Sequence, residues 1–332
     1  MKTNKILYFI LIVTLAFFMV GCDKDEDNLT TLNDYLVENS LDLPNMLDGW
    51  IITASALHDN LDDYYVIDTR SAAAYAAGHI PGAVHATADN ILEVAGNLAK
   101  SAAEKTIVIH CYKGVGATRL LVALRLSGYP TAKSLKFGMS AWGPADAAGA
   151  ADYDKWTAAC KDVALDYPND WVMTGAPAAD VEYDYPAVAT EEDEDGAALL
   201  EERVQYLLTE GYGYAGAPSI LTDREDYFIN NFWDEASWNQ YGHIAGSHRV
   251  NSMSIENGGL NYMDPDETVV TYCWTSQTSG MITAYLTVLG YTAQSLHPGA
   301  NGLIWSNLQG HNWDSANGTP GSNAPGNYEI VQ

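Results

Sequence analysis

The fold is decided by the stretch Thr106–Arg119, which reads TIVIHCYKGVGATR. A β-branched apolar run ends abruptly at Cys111, a loop with two glycines follows, and an apolar segment with helical spacing then begins. This order predicts a strand, a tight loop and a helix, with the cysteine sulfur facing the helix N-terminus. Backbone N–H groups and the helix dipole favour a thiolate there, and Lys113 adds a cation. The stretch therefore predicts a nucleophile, with a small packing residue as the alternative.

A second copy of this pattern occurs later, at Thr268–Met281, which reads TVVTYCWTSQTSGM. It again places a cysteine, Cys273, between a β-branched run and a helical pattern. In both copies a Ser-Gly-Tyr or Leu-Gly-Tyr follows, then a short β-like run, and then a glycine and a tryptophan. The glycine and tryptophan are Gly138 and Trp142 in the first copy, and Gly302 and Trp305 in the second. An internal repeat of this length predicts two copies of one domain.

Two further motifs precede the first copy: Val66–Arg70 reads VIDTR, and Gly78–Ala83 reads GHIPGA. Together with the loop after Cys111, they resemble the motifs of the rhodanese domain, the fold of the thiosulfate and mercaptopyruvate sulfurtransferases. The second half carries partial matches, ILTDR at Ile220–Arg224 and GHIAGS at Gly242–Ser247. The resemblance implies an α/β fold with two tandem rhodanese-like domains, each a central parallel sheet flanked by helices on both faces.

Short apolar runs also alternate with helical patterns in the first half, which independently predicts a parallel sheet covered on both faces. The predicted strands are Trp50–Ile52, Tyr65–Ile67, Ala83–His85, Ile107–His110 and Ala132–Leu135. Ligands of such sheets bind beyond the carboxyl ends of the strands, and Cys111 falls at one of these ends.

The resemblance also implies the chemistry. The loop cysteine, Cys111, takes the outer sulfur of a donor, becomes a persulfide and passes the sulfur to a thiol or to cyanide, and Cys273 is a second candidate. Arg70 is implied to bind the anionic end of the donor, and an ion pair with Asp68 is the structural alternative. The other substrate-binding candidates are Tyr112, Lys113, Gly114, Val115, Gly116 and Ala117. The second loop contributes Trp274, Thr275, Ser276, Gln277, Thr278 and Ser279, with Arg224 at the position of Arg70.

The charge of the first loop favours thiosulfate over mercaptopyruvate, because the thiosulfate enzymes of the family carry basic residues early in the loop, as Lys113 is here. The second loop has no charge, which predicts different substrates or low activity. A phosphatase of the same fold is disfavoured because Ala117 and Ser279 stand where its phosphate-binding arginine belongs. A non-enzymatic surface module or persulfide carrier remains the alternative, since 21 tyrosines and 9 tryptophans can form a binding face. No cofactor and no metal-binding spacing is evident.

The N-terminus resembles a bacterial lipoprotein signal. Lys2 and Lys5 precede an apolar run, and the sequence up to Cys22 resembles a lipobox, which implies cleavage and lipidation at that cysteine. An uncut anchor helix is the alternative. Either interpretation predicts a protein of the cell envelope, held on a bacterial membrane and facing the periplasm or the cell surface.

Composition indicates folded domains: 47% of the 332 residues are hydrophobic and 18% are charged. The net charge of −27 excludes a nucleic-acid partner and means that an anionic substrate must be held by local donors. We expect a monomer, and Cys160 is expected late in a helix as an inert buried thiol, with a disulfide as the alternative. The predicted parts are a signal peptide 1–21, an acidic tether 22–46, a domain 47–160, a linker 161–196, a second domain 197–312 and a loose tail 313–332.

Overall fold

Two parallel β-sheets form the centre of the protein. The computed structural model describes residues 28–101, 105–144, 153–188 and 195–332. The first sheet consists of β1 (Ile51–Ile52), β2 (Tyr64–Asp68), β3 (Val84–His85), β4 (Thr106–His110) and β5 (Lys133–Leu135). The strand order is β1-β5-β4-β2-β3, and all neighbouring strands are parallel.

The second half of the chain repeats this plan. Its strands are β6 (Trp171–Val172), β7 (Gly213–Gly216), β8 (Tyr227–Asn231), β9 (His243–Ile244), β10 (Thr268–Tyr272) and β11 (Ala293–His297). Four of them form a second parallel sheet in the order β7-β11-β10-β8. Strands β6 and β9 form a separate antiparallel pair.

Helices connect the strands of both sheets. They are α1 (28–38), α2 (Leu43–Met46), α3 (Ala54–Asp59), α4 (Ala72–Ala77), α5 (Ile91–Ser101), α6 (Val115–Leu126), α7 (Met139–Trp142), α8 (Gly196–Glu210), α9 (Ala217–Thr222), α10 (Glu235–Tyr241) and α11 (Gln277–Val288). Short 3-10 helices lie at Leu61–Asp63, Val163–Asp166, Arg224–Asp226, Gly259–Tyr262, Gly299–Gly302 and Trp305–Asn307.

Both faces of each sheet are buried. In β4, Ile107 and Ile109 belong to one apolar cluster, and Val108 between them belongs to another on the opposite face. In β10, Val269 and Val270 divide in the same way. Because successive side chains of a strand point to opposite faces, a continuous β-branched run needs cover on both sides. The α/β architecture predicted from the sequence is confirmed.

One apolar cluster runs through both halves of the molecule. It includes Leu121 of α6, Leu207 of α8 and Ile282 of α11, all fully buried. Helices α6 and α11, each of which follows a loop cysteine, therefore share a core. This shared core holds the two loops close to one another.

Residues 28–46 are folded, which corrects the prediction that the whole segment 22–46 is a solvated tether. Leu29, Leu32 and Leu36 recur at helical spacing on α1, and all three are buried. Asp42 caps α2 at Leu43 N and also accepts a hydrogen bond from Ser254 Oγ at 2.5 Å. This helical spacing of leucines is present in the sequence, but the acidic residues just before it led to the prediction of a tether. The predicted signal peptide, Cys22 and residues 23–27 lie outside the described residues.

The segment predicted as a linker, 161–196, is ordered against the second domain where it is described. Lys161 N donates to Asn301 O, and Ala164 N donates to Leu303 O, both at 2.9 Å. Trp171 then pairs with Ile244 in the short antiparallel sheet. Residues 189–194, which include most of the acidic run, lie outside the described residues.

The C-terminal segment 313–332 is also ordered, contrary to the prediction of a loose tail. Its polar backbone groups pair with the first domain: Ala54 N donates to Gly321 O, and His79 exchanges two backbone hydrogen bonds with Val331. The tail is thus fixed by backbone bonds, which a composition rich in Gly, Asn and Ser does not reveal. No helix in the described ranges is long and apolar enough to cross a membrane.

Candidate functional site

Cys111 lies directly after β4 and before α6, at the carboxyl edge of the first sheet. Its side chain is partly exposed and lines an open cavity of about 270 Å³. The cavity is also lined by Tyr112, Lys113, Val115, Gly116, Tyr214 and His297. Five of the residues named from the sequence line this cavity, whereas Gly114 and Ala117 do not, and two lining residues come from the second domain.

The loop is held from behind through its carbonyl groups. Met139 N donates to Cys111 O at 2.9 Å, and Ser140 N donates to Tyr112 O at 3.0 Å. The indole of Trp156 donates to the carbonyl of Lys113 at 3.0 Å. The three peptide oxygens are therefore bound by residues that do not line the cavity.

This arrangement leaves loop amides available. In a trans peptide the N–H points opposite to the preceding C=O, so the amides of Tyr112, Lys113 and Gly114 face the other way from the fixed oxygens. Among the described residues these three N–H groups have no hydrogen-bond partner, and Cys111 Sγ accepts none. Unpaired successive amides next to a helix N-terminus form an anion-binding concavity. The loop can therefore hold an anion beside the sulfur.

Two glycines permit the close approach. Gly114 has φ +78° and begins α6 from a left-handed conformation. Gly138, with φ +59°, lies so close to the loop that a Cβ there would be 2.5 Å from Gly114 N and would overlap Cys111 O. Only glycine avoids both the strain and the overlap at Gly138.

Lys113 is the cationic residue that lines the cavity, and a residue of the second domain binds its ammonium group. Its Nζ lies 2.5 Å from Nε2 of His297, at the end of β11. Burial, together with the nearby ammonium, lowers the pKa of His297 to about 4, so the ring is neutral and accepts a hydrogen bond from Lys113. Burial also lowers the pKa of Lys113, against the attraction of the Cys111 and Cys160 sulfurs.

Arg70 lies below the loop, in a buried ion pair. Its Nη2 donates to Asp68 Oδ2 and to Gly78 O, both at 2.6 Å. Burial opposes ionisation of Asp68, but the charges of His110 and Arg70 and the Arg70 hydrogen bonds outweigh it, and the pKa of Asp68 is lowered. The guanidinium carbon lies 5.4 Å from the centre of the Tyr112 ring. Arg70 thus makes the ion pair that was the structural alternative, and its contact with a donor stays a prediction.

Cys273 occupies a closed environment. Its side chain is 2% exposed, and Ser279 N donates to its sulfur at 3.3 Å. Ser279 Oγ lies 2.8 Å from Ser295 Oγ. Trp274, next in the loop, stacks between Trp233 and His311. This cysteine has an amide donor, but its sulfur is shielded from solvent.

The two loops correspond closely in backbone structure. Ser276 has φ +58° and Gly114 has φ +78°, so both residues are left-handed at the same position after the cysteine. Ala300 N donates to Cys273 O at 2.9 Å, as Met139 does to Cys111 O. A Cβ on Gly299 would be 2.5 Å from Cys273 O, so Gly299 is the counterpart of Gly138. The sequence prediction had paired Gly138 with Gly302, three residues too far along the chain.

Arg224 is not the counterpart of Arg70, which corrects the sequence alignment. The segment Ile220–Arg224, which resembles Val66–Arg70 in sequence, ends helix α9 and begins a 3-10 helix. Asp68 is paired in register with His110, and Asn231 with Tyr272, so Asn231 stands at the aspartate position. Trp233 therefore replaces Arg70. Its ring stacks on Trp274, much as Arg70 lies over Tyr112.

Asp170 and Glu225 instead pair with Arg224, at 3.1 and 3.0 Å, on the surface of the second domain. The sequence did contain a signal that places Trp233, and not Arg224, at the position of Arg70. Asp234 caps α10 through Ser237 N, as Ser71 caps α4 through Ala74 N. A capping residue after a short strand therefore marks the matching point in both halves.

The remaining loop residues divide between core and interface. Ala117 is fully buried in the shared core, so only its backbone can face a ligand. Gln277 reaches into the first domain, where its Oε1 accepts a hydrogen bond from Phe137 N at 2.9 Å. Ser276 Oγ donates to Leu296 O at 2.5 Å, and Thr275 and Thr278 are half-buried.

Tyr214 and His297 were missed by the sequence analysis. They come from β7 and β11, far from Cys111 along the chain, and reach the cavity because the two domains share one core. Tyr212 fixes this contact: its hydroxyl lies 3.0 Å from Thr118 Oγ1 and donates to Val115 O at 3.3 Å. No local motif marks residues whose role depends on domain packing.

Cys160 is a free thiol in a turn rather than in a helix. Burial and the charges of Asp154 and Asp162 raise its pKa to about 12, which makes it a poor nucleophile. Its sulfur donates to Asn301 Oδ1 at 3.9 Å. Cys111 and Cys273 are free as well. Within the described ranges, no group of three or more His, Cys, Asp or Glu residues is arranged to hold a metal ion.

Comparison with known proteins gives a family match within the first half of the chain. Residues 53–145 match the family described as rhodanese-like domain. The chain is similar to thiosulfate sulfurtransferase from Pseudomonas aeruginosa, with 13% identity, 83% of this chain and 46% of that chain covered, and a TM-score of 0.27. It is also similar to 3-mercaptopyruvate sulfurtransferase from Leishmania major, with 14% identity, coverage of 76% and 73%, and a TM-score of 0.28.

A rhodanese-related protein from Thermoplasma volcanium shares 18% identity over 28% of this chain and 89% of that chain, with a TM-score of 0.23. Comparison with curated proteins gives no match. The family match covers the Cys111 loop, Asp68 and Arg70. The cavity thus combines residues inside the family match with Tyr214 and His297, which lie outside the matched residues.

Proposed function

We propose that the protein is a sulfurtransferase that carries sulfane sulfur as a persulfide on Cys111. One observation carries this proposal: a partly exposed cysteine lies in an open cavity, beside unpaired loop amides, within a rhodanese-like domain. A merely structural cysteine needs neither the cavity nor the amides.

In the first half-reaction, the Cys111 thiolate attacks the outer sulfur of a donor such as thiosulfate. The new S–S bond forms as the old one breaks, and sulfite leaves with the electron pair. The loop amides stabilise the terminal sulfur anion, and Lys113 attracts the donor against the negative charge of the whole chain. Both roles need the local geometry that Gly114 and Gly138 permit.

In the second half-reaction, a thiol or cyanide attacks the terminal sulfur of the persulfide. The acceptor gains that sulfur, and Cys111 leaves as the thiolate, ready for another cycle. Splitting the transfer in this way replaces one difficult step by two displacements at sulfur. No cofactor takes part.

We also propose that the second half is a second rhodanese-like domain of low activity. The matching loop conformations and hydrogen bonds support the repeat. Burial of Cys273 and the uncharged residues around it support the low activity. Its main contribution is then to complete the Cys111 cavity through Tyr214 and His297.

The proposed function is tested by treating the purified protein with thiosulfate and measuring intact and peptide masses. We expect a gain of about 32 Da, one sulfur atom, on the peptide that contains Cys111, and its loss after cyanide is added. Thiocyanate release should accompany that loss. A persulfide that forms but does not turn over would favour a carrier, and no persulfide with any sulfur donor would favour a binding module.

We infer from residues 1–22 alone that the protein is a lipoprotein of the bacterial cell envelope, anchored through Cys22. Expressed with its own signal in a bacterium, the parent protein should lose residues 1–21 and carry lipid on Cys22, and both changes are visible in its intact mass. Cys22→Ser should show neither change. A parent protein that keeps residues 1–21 and gains no lipid would instead indicate an uncut anchor helix.

A further inference from the structure

The walls of the Cys111 cavity are formed largely by rings and aliphatic groups. Tyr112 and Val115 come from the loop, and Tyr214 and His297 come from the second domain. The rings of Tyr214 and His297 meet edge to face, with centroids 5.8 Å apart. Such walls favour a ligand with an apolar surface, because burying that surface contributes binding free energy.

The charge in the cavity is small. Lys113 is the one cationic side chain among the residues that line it, and its ammonium is already engaged by His297. Two further cations lie near the Tyr112 ring, but neither lines the cavity: Arg70 is buried in its ion pair with Asp68, and Lys155 Nζ is 5.7 Å from the ring centre. A dianion must lose more hydration than a monoanion on entering such a site, and one shared ammonium offsets this cost only in part.

We propose that the Cys111 site prefers a sulfane-sulfur donor with one negative charge and an apolar body, such as an organic thiosulfonate, over thiosulfate. This preference rests on the proposed function and narrows its substrate class. The thiolate attacks the terminal sulfur of R–SO₂–S⁻, which gives Cys111–S–S⁻ and releases the sulfinate R–SO₂⁻ with the electron pair. The apolar group R packs against the rings of Tyr214 and His297, while Lys113 holds the sulfonyl oxygens.

The test compares three donors at fixed cyanide: thiosulfate, methanethiosulfonate and benzenethiosulfonate. The last two share charge and head group, so their ratio of kcat/KM reports the apolar body alone. We expect benzenethiosulfonate to exceed methanethiosulfonate by about tenfold or more, the scale at which pockets discriminate between apolar groups. Intrinsic reactivity is removed by comparing this ratio between the parent protein and variants.

Tyr214→Ser is expected to reduce the benzene-to-methane ratio by about tenfold, whereas Tyr214→Phe keeps the ring and should keep most of the ratio. Tyr206→Ser, at an exposed tyrosine on α8, is the matched control and should leave all three rates unchanged. Unequal donors in the parent but an unchanged ratio in Tyr214→Ser would overturn the proposal. Faster turnover of thiosulfate than of both thiosulfonates would do the same, and no turnover of any donor would overturn the proposed function itself.

Discussion

Cys111→Ser is expected to lower sulfur transfer by roughly 10³-fold or more, because a serine hydroxyl cannot replace the sulfur nucleophile. Cys273→Ser should retain most of the parent activity. The two cysteines share a loop conformation, but Cys273 is 2% exposed whereas Cys111 lines an open cavity. The measurement is thiocyanate release from thiosulfate and cyanide, repeated with a thiol acceptor.

Cys160→Ala is the matched control. Cys160 is a free thiol whose pKa is raised to about 12, so its loss removes a sulfur atom but no nucleophile. Thermal unfolding of all three variants separates loss of chemistry from loss of structure. Equal losses in Cys111→Ser and Cys273→Ser would show that the burial of Cys273 does not limit its reaction, and an active Cys111→Ser would move the chemistry to the second domain.

The sequence predicts the structural elements whose formation depends on a local pattern of residues. The β-branched run before Cys111, the glycine after it and the helical spacing that follows are each dictated by short-range sterics and burial. The prediction of β4, the loop and α6 therefore lies within a few residues of the structure. The local pattern around Cys273 likewise predicts its place between β10 and α11.

The alignment within the second domain failed because one charged residue was given too much weight. Arg224 follows an apolar run as Arg70 does, but the run before Arg224 is helical. The true counterpart has exchanged the Asp68–Arg70 ion pair for Asn231 and an aromatic stack of Trp233 on Trp274. Guanidinium and indole both cover a flat ring, so the loop is supported from below in either way. The second domain therefore keeps the packing against its loop but lacks the ion pair.

The sequence did not predict the whole cavity, for a different reason. Tyr214 and His297 line the cavity because α6 and α11 share a core and Tyr212 bonds to the first turn of α6. Contacts between residues so distant along the chain follow from domain packing, which has no local signature. The tail was misjudged for the same reason, since backbone bonds to Gly321 and Val331 join distant parts of the chain.

Asp68→Asn is expected to lower the free energy of unfolding by about 3 kcal/mol, the low end of the range for a broken buried ion pair. The amide can still accept one hydrogen bond, but Arg70, 1% exposed at its side chain, would be left without a counter-charge. Asp170→Asn is the control: it breaks the Arg224 pair, whose side chains are 26% and 27% exposed, and should cost at most about 1 kcal/mol. Chemical denaturation of each variant supplies both values.

The pH dependence of stability and a second substitution test whether loss of the ion pair destabilises Asp68→Asn. Because the pKa of Asp68 is lowered from 3.8 in the folded protein, its contribution is complete above that value and is lost as the pH falls through the lowered pKa. The gap between the parent protein and Asp68→Asn should therefore shrink on acidification. Adding Arg70→Met to Asp68→Asn removes the unpaired charge and should recover part of the loss. If the double variant were as unstable as the sum of the Asp68→Asn and Arg70→Met single variants, the loss would reflect packing of the strand end rather than the ion pair.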